Sequence, residues 1–256
     1  MLWLDRLAAG MLAPLAMWVL ASGLDDLFLD LCSIYFWLAA RLGRRRRACV
    51  GGEDDDRFLR EKKIALLIPA WREHEVIEAM LEHNIGSIRY SNYEIFVGVY
   101  PNDVLTLAKI LAVVKKHARV HHVACPHEGP TSKADCLNWI YEGVLRYEEE
   151  KRCHFEVILH HDAEDVIHPR SLGWINRHAE HYDMVQVPVL PLETPWWELT
   201  HGVYCDDFAQ SHLRELHTRI ALGGFCHRAG WGRRIGGGRW TGWRGTTKAR
   251  CSEQRC

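Results

Sequence analysis

The sequence predicts an α/β domain with an open, mostly parallel sheet and flanking helices, preceded by an N-terminal membrane helix or helical hairpin. Three observations predict it. Short, continuous apolar runs recur along the chain, as expected of parallel strands buried on both faces. Segments with apolar residues three and four apart alternate with those runs. The stretch Leu7–Leu24 carries no charged side chain. At 256 residues, 48% of them hydrophobic, the chain has material for one globular domain and an extra segment. Its net charge of -1 gives no global basic field, so no nucleic-acid partner is expected. Nine cysteines without a C-x-x-C pair point to reduced thiols rather than a zinc ribbon or a disulfide scaffold.

At helical rise the eighteen residues Leu7–Leu24 cover about 27 Å, close to a bilayer core. Arg6 before the run and small residues near its end would also suit a cleaved signal peptide. However, Asp25 and Asp26 follow, and then a second apolar segment, Leu27–Leu42. There Asp26, Asp30, Ser33 and Trp37 form one polar stripe, as on a helix lying in the interface or packed as a second span. Arg41 and Arg44–Arg47 come next, and such a cluster beside a membrane segment favours the cytoplasmic side. Residues 1–47 therefore read as a membrane anchor of one span plus an amphipathic or second helix. Residues 48–62 read as a polar, glycine-containing linker.

Strands are expected at Lys63–Pro69, Tyr93–Tyr100, Val120–Ala124, Phe155–His160 and Met184–Val189. Helices are expected at Glu75–Ser87, Leu105–Ala118, Lys133–Glu148 and Arg170–Tyr182, and again at Tyr204–Leu222. In open parallel sheets, ligands bind outside the carboxyl ends of the strands. Polar clusters stand there: Trp71-Arg72-Glu73, Asn102-Asp103, and the acids Asp162, Glu164 and Asp165. Carboxylates packed so closely repel one another unless water or a cation offsets the repulsion. As hard oxygen donors they suit Mg²⁺ or Mn²⁺ rather than zinc, although a solvated loop capping the next helix has the same composition. His160 and His161 are expected to pack beside the acids rather than to ligate. His178 and His181, with no third ligand nearby, are expected on a solvated helix face. Trp196 and Trp197 suit either a sugar-binding or membrane-proximal groove or buried packing.

Three segments resemble the family 2 glycosyltransferases. IPAWREHEVI (Ile68–Ile77) resembles their strand-to-loop opening, with Arg72 where asparagine is usual. GPTSKADCLN (Gly129–Asn138) resembles their lysine-containing helix start. DAEDVIHP (Asp162–Pro169) resembles their D-x-D segment, with Glu164 in place of the second Asp. The phrases GLDDLFLDL and VGVYPND resemble an inner-membrane branch that includes phage-adsorption proteins.

The resemblance implies a GT-A fold over residues 63–224. It implies a nucleotide-diphospho-sugar held by Pro69, Ala70, Glu73, Asp103, Lys133 and Asp162, and a Mg²⁺ or Mn²⁺ ion held by Asp162 and Glu164. It also implies a glycan or lipid acceptor, contact with membrane lipid, and a bacterial inner-membrane location with the α/β domain in the cytosol. A non-catalytic inner-membrane scaffold, or a phage-adsorption or polysaccharide-export component, is the alternative.

Residues 225–256 depart from the pattern. They hold seven Gly, seven Arg, three Trp and three Cys, but one Ile and no Leu or Val, so they are expected to add no strand or helix to a core. A one-base shift of the reading frame allows Cys226–Arg234 to spell LPSGGVGTA, closer to the family, so this tail is expected to be frameshifted. The acid that would serve as catalytic base is then expected to be absent from the chain, leaving a donor-binding half.

Overall fold

The computed structural model describes residues 2–42, 60–182, 197–223 and 231–233, with scattered positions between 184 and 195. They fall into two compact units.

The first unit contains α1 (Leu2–Arg41), a single 40-residue helix with Pro14 inside it. Of the two expected forms, a membrane helix or a helical hairpin, the described residues form a single helix, which runs unbroken through Gly23, Asp25 and Asp26. Aspartate lowers helix propensity by only a few tenths of a kcal/mol, and no proline stands at the junction. From Gly10 to Arg41 this helix is long and apolar enough to cross a membrane. In the same unit α6 (Leu199–Ala209), a π-helical segment (Gln210–Glu215) and α7 (Leu216–Ala221) follow one another without a break. Arg214 Nη2 lies 2.9 Å from Asp30 Oδ1, and Arg219 Nη2 lies 3.4 Å from Asp25 Oδ2. Acids of α1 thus meet arginines of the later helical segment. Arg44–Arg47, residues 48–59 of the linker and Trp196 lie outside the described residues. Trp197 is exposed.

The second unit is the sheet domain. β1 (Ile64–Pro69), β2 (Tyr93–Val99), β3 (Val120–Ala124) and β4 (Val157–His160) are parallel, and β5 (Trp231–Arg233) pairs antiparallel with β4. The strand order is β3-β2-β1-β4-β5. The central strand β1 pairs Ile68 with Val97 on one side and Leu67 with His160 on the other. That register brings the carboxyl ends of β1, β2 and β4 together. Between the strands run α2 (Ile77–Ser87), α3 (Val104–Lys116), α4 (Lys133–Lys151) and α5 (Ser171–His178).

Local chemistry accounts for the helix boundaries. The Asp103 and Ser132 side chains accept backbone N–H bonds at the starts of α3 and α4, and Lys115 and Lys116 complement the carbonyl end of α3. α4 packs on the sheet through Leu137, Ile140, Tyr141 and Val144, against Phe96 and Phe155. Gly98 permits the close approach: a Cβ there would lie 2.5 Å from Ile140 Cγ1 and 2.8 Å from Cys136 Sγ.

Three expectations are corrected. The described residues of the stretch 184–189 are not in a strand. The fifth strand comes instead from the tail, at Trp231–Arg233, because pairing along the edge of β4 uses backbone N–H and C=O groups and needs no aliphatic side chains. Finally, His178 is buried rather than solvated, whereas His181 is exposed. The His178 ring stacks on Trp174 with centroids 3.9 Å apart, on the face of α5 that also buries Leu172 and Ile175.

Candidate functional site

A cleft of ≈ 320 Å³ opens at the carboxyl ends of β1 and β4 and the start of α4. Pro69, Ala70, Glu73, Lys133, Asp162 and Glu164, six of the seven residues expected in the site, line it. A larger, shallow hollow of ≈ 640 Å³ lies at the amino ends of β2 and β3, beside Tyr93, His117 and Arg119. It contains none of the expected groups and lies at the end of the sheet opposite to where this architecture places ligands.

The chain leaves β1 through Ala70, whose N–H donates to Gly98 O at 2.9 Å, and turns at Arg72, a non-glycine residue with φ 60. Asp103 holds that turn. Its Oδ2 accepts the Arg72 N–H at 2.5 Å, and its Oδ1 accepts the Thr106 N–H at 3.3 Å. Asp103 is therefore buried as a clamp between two loops and does not line the cleft. The turn delivers Glu73 to the cleft. Burial first, and then the negative charges of Glu164, Asp103 and Asp162, push the Glu73 carboxyl above its ordinary value.

The acidic segment after β4 divides its labour. Asp165 Oδ2 accepts the Asp162 N–H at 2.9 Å and lies 3.2 Å from His161 Nδ1. These bonds outweigh the effect of burial, so the Asp165 carboxyl stays below its ordinary value. Asp165 shapes the loop, with Asn84 of α2 as its clamp: Nδ2 donates to Asp165 O, and Oδ1 accepts the Ile167 N–H, each at 2.9 Å. Asp162 is left facing the cleft, where Lys133 Nζ contacts its Oδ1 and His160 Nε2 lies 3.4 Å from the same oxygen. His160, and then Lys133, hold the Asp162 carboxyl well below the usual carboxylate range. Glu164 lines the cleft and is exposed. Among the described residues, no group of three or more His, Cys, Asp or Glu side chains is arranged to hold a metal ion.

The opposite wall joins groups singled out in the sequence, Trp71 and Asn102, with Tyr100, which was expected only as the last residue of a strand. Trp71 and Tyr100 meet edge to face with centroids 5.4 Å apart. The Gly129 backbone lies so close that a Cβ there would sit 2.6 Å from the Tyr100 ring. Asn102 fastens this wall: Nδ2 donates to Gly129 O at 2.7 Å, and Oδ1 accepts the Gly129 N–H at 2.9 Å. Thr131 Oγ1 lies 2.7 Å from both Tyr100 Oη and Asp135 Oδ2. The sequence signal for this wall was the Pro-Thr-Ser run before α4, which marks a loop but not what that loop packs against.

The family model described as "Glycosyltransferase like family 2" matches residues 61–246. Bacteriophage adsorption protein B of Escherichia coli strain K12 is 38% identical over 221 residues, covering 85% of this chain and 29% of that protein. Bacteriophage N4 adsorption protein B of Escherichia coli O157:H7 matches to the same extent. The chain thus spans less than a third of the length of these two relatives. Among solved structures, the mannosyltransferase PcManGT of Pyrobaculum calidifontis, in complex with GDP-Man and Mn²⁺, is similar at TM-score 0.46 and 15% identity, over 77% of this chain and 56% of that one. S. aureus TarS 1-349 in complex with UDP-GlcNAc is similar at TM-score 0.37 and 15% identity, over 52% and 37%.

Proposed function

The chain belongs to the glycosyltransferase like family 2, and from that premise we propose that its cleft binds a nucleotide-diphospho-sugar together with Mg²⁺ or Mn²⁺. One observation carries the reading: Glu73, Asp162 and Glu164 line one cleft at the strand ends, with Lys133 among them. The donor chemistry fits the cation. Carboxylate oxygens suit a hard ion, and Mg²⁺ in particular is usually held by one or two carboxylates plus substrate phosphates rather than by an all-protein cage. Asp162 and Glu164 are the residues that would hold the ion, and its contribution would be to offset charge on the diphosphate.

The chain's own groups do the rest. Glu73 accepts hydrogen bonds from the base or ribose hydroxyls. Lys133 supplies a positive charge to the phosphates from the first residue of α4, where the helix N-terminus also favours an anion. Trp71 and Tyr100 form an aromatic wall with which a planar or C–H-rich ligand surface can pack. Asp103, expected on the nucleotide, serves by positioning the Arg72–Glu73 turn.

Transfer to an acceptor hydroxyl requires a base as well. In this assignment the cleft acids are committed to donor and cation, so donor binding with slow or no transfer is the proposed activity of this chain. The sheet domain is proposed to face the cytosol, anchored through α1, with Arg44–Arg47 holding that side.

Calorimetry of the full chain with UDP and GDP, with and without Mn²⁺, tests the reading. Metal-dependent binding lost in Asp162→Ala supports it. No binding, with freely replaceable acids, supports the scaffold reading.

A further inference from the structure

Building on the donor-binding reading, we infer that Lys133 occupies the cation position at Asp162 and yields it more readily to a divalent ion that arrives with a diphosphate than to the bare ion. Lys133 Nζ contacts Asp162 Oδ1, and His160 Nε2 lies 3.4 Å from the same oxygen. The carboxylate keeps further lone pairs, but a divalent ion placed on it would sit beside the ammonium, and the two cations repel at such range. Binding of the ion therefore favours displacement of the ammonium.

Leaving is easy, because the Lys133 and Asp162 side chains are 50% and 42% exposed. Breaking such a pair shifts an equilibrium by about twofold to fivefold. What differs between ligands is where the ammonium goes. A bare ion leaves Lys133 beside a new positive charge, competing with it for the cleft carboxylates Glu73 and Glu164. A diphosphate gives it oxygens within the same cleft, since Lys133 is the first residue of α4 and has a flexible four-carbon stem. Lys133 thus disfavours the bare ion and favours the ion–diphosphate pair. It is a positioning residue whose removal moves two affinities in opposite directions, whereas a purely structural lysine would weaken both.

The test titrates the detergent-solubilised full chain with Mn²⁺ alone, following free Mn²⁺ by electron paramagnetic resonance, and then with UDP or GDP in the presence of Mn²⁺ by calorimetry. Lys133→Ala is expected to bind bare Mn²⁺ about twofold to fivefold tighter than the parent chain and the nucleoside diphosphate with Mn²⁺ more weakly. Lys133→Arg, which keeps the charge, is expected to leave bare-Mn²⁺ affinity unchanged. Bare-Mn²⁺ binding by Lys133→Ala that is no tighter than that of the parent, or undetectable in both, overturns the inference. If Asp162-dependent nucleoside diphosphate binding persists in that case, the donor-binding reading stands. If the parent chain binds neither UDP nor GDP with Mn²⁺, the donor-binding reading falls and this inference with it.

Discussion

Replacing Asp103 with alanine should destabilise the sheet domain and disorder the mouth of the cleft, although Asp103 does not line it. The substitution removes two hydrogen bonds at a buried position. The one from Thr106 N–H is a helix N-cap, which contributes about 1 kcal/mol. The one from Arg72 N–H is short and charge-assisted, a class that contributes about 1.5–3 kcal/mol. Together they predict a loss of about 2.5–4 kcal/mol, with no discount for solvent because the group is buried. In Asp103→Asn the new side chain would still cap α3, but an amide has a single oxygen for two N–H donors, so that variant should lose roughly half as much. Without the clamp, Arg72 is freed from φ 60, an unfavourable region for a residue with a Cβ, and Glu73 moves with it. Hydrogen exchange of the full chain read by mass spectrometry checks this. Protection of peptides covering residues 70–76 and 103–108 should fall about 60-fold to 700-fold in Asp103→Ala, at 1.4 kcal/mol per tenfold. Unchanged protection, with nucleoside diphosphate binding lost, would refute the reasoning and return Asp103 to the role of a direct nucleotide contact.

Further outcomes follow from the same geometry. Gly98→Ala places a Cβ against Ile140 and Cys136 and should cost about 1–3 kcal/mol, read as a lower unfolding midpoint. Glu73→Gln should raise stability at neutral pH. The Glu73 carboxyl is pushed up in the folded state, so the stability this group contributes is fully present below the unfolded value near 4.5 and is lost as pH rises through the folded one. The advantage of Glu73→Gln should therefore fade as the pH falls below about 4.5; an advantage that instead grows on acidification would contradict the stated cause of the shift. In membranes prepared from expressing cells, the chain should resist alkaline carbonate extraction, and removal of residues 2–41 should abolish that resistance; extraction of the full chain would argue against α1 as a span.

Periodicity and chain order were enough to read the frame. Parallel strands buried on both faces leave continuous apolar runs such as Ile64–Pro69, which are visible without knowing a neighbour. Parallel connection then forces the ends of β1, β2 and β4 to one side, so the acids that follow them could be grouped from the sequence alone. Six of the seven residues expected in the site line the cleft for that reason. What each acid does there depended on partners far along the chain. Asp103 is matched to Arg72 across 31 residues, Lys133 to Asp162 across 29, and Asn84 to Asp165 across 81. Asp162 and Asp165 are the same side chain three positions apart, yet one faces the cleft and the other folds back on its own loop. A hydrogen-bond donor satisfies the acceptor the fold brings within about 3 Å, and proximity between distant segments exists only once the sheet has formed. The same holds for His178, buried by a stack on Trp174, and for Trp231–Arg233, whose backbone pairs with an edge that only the assembled sheet provides.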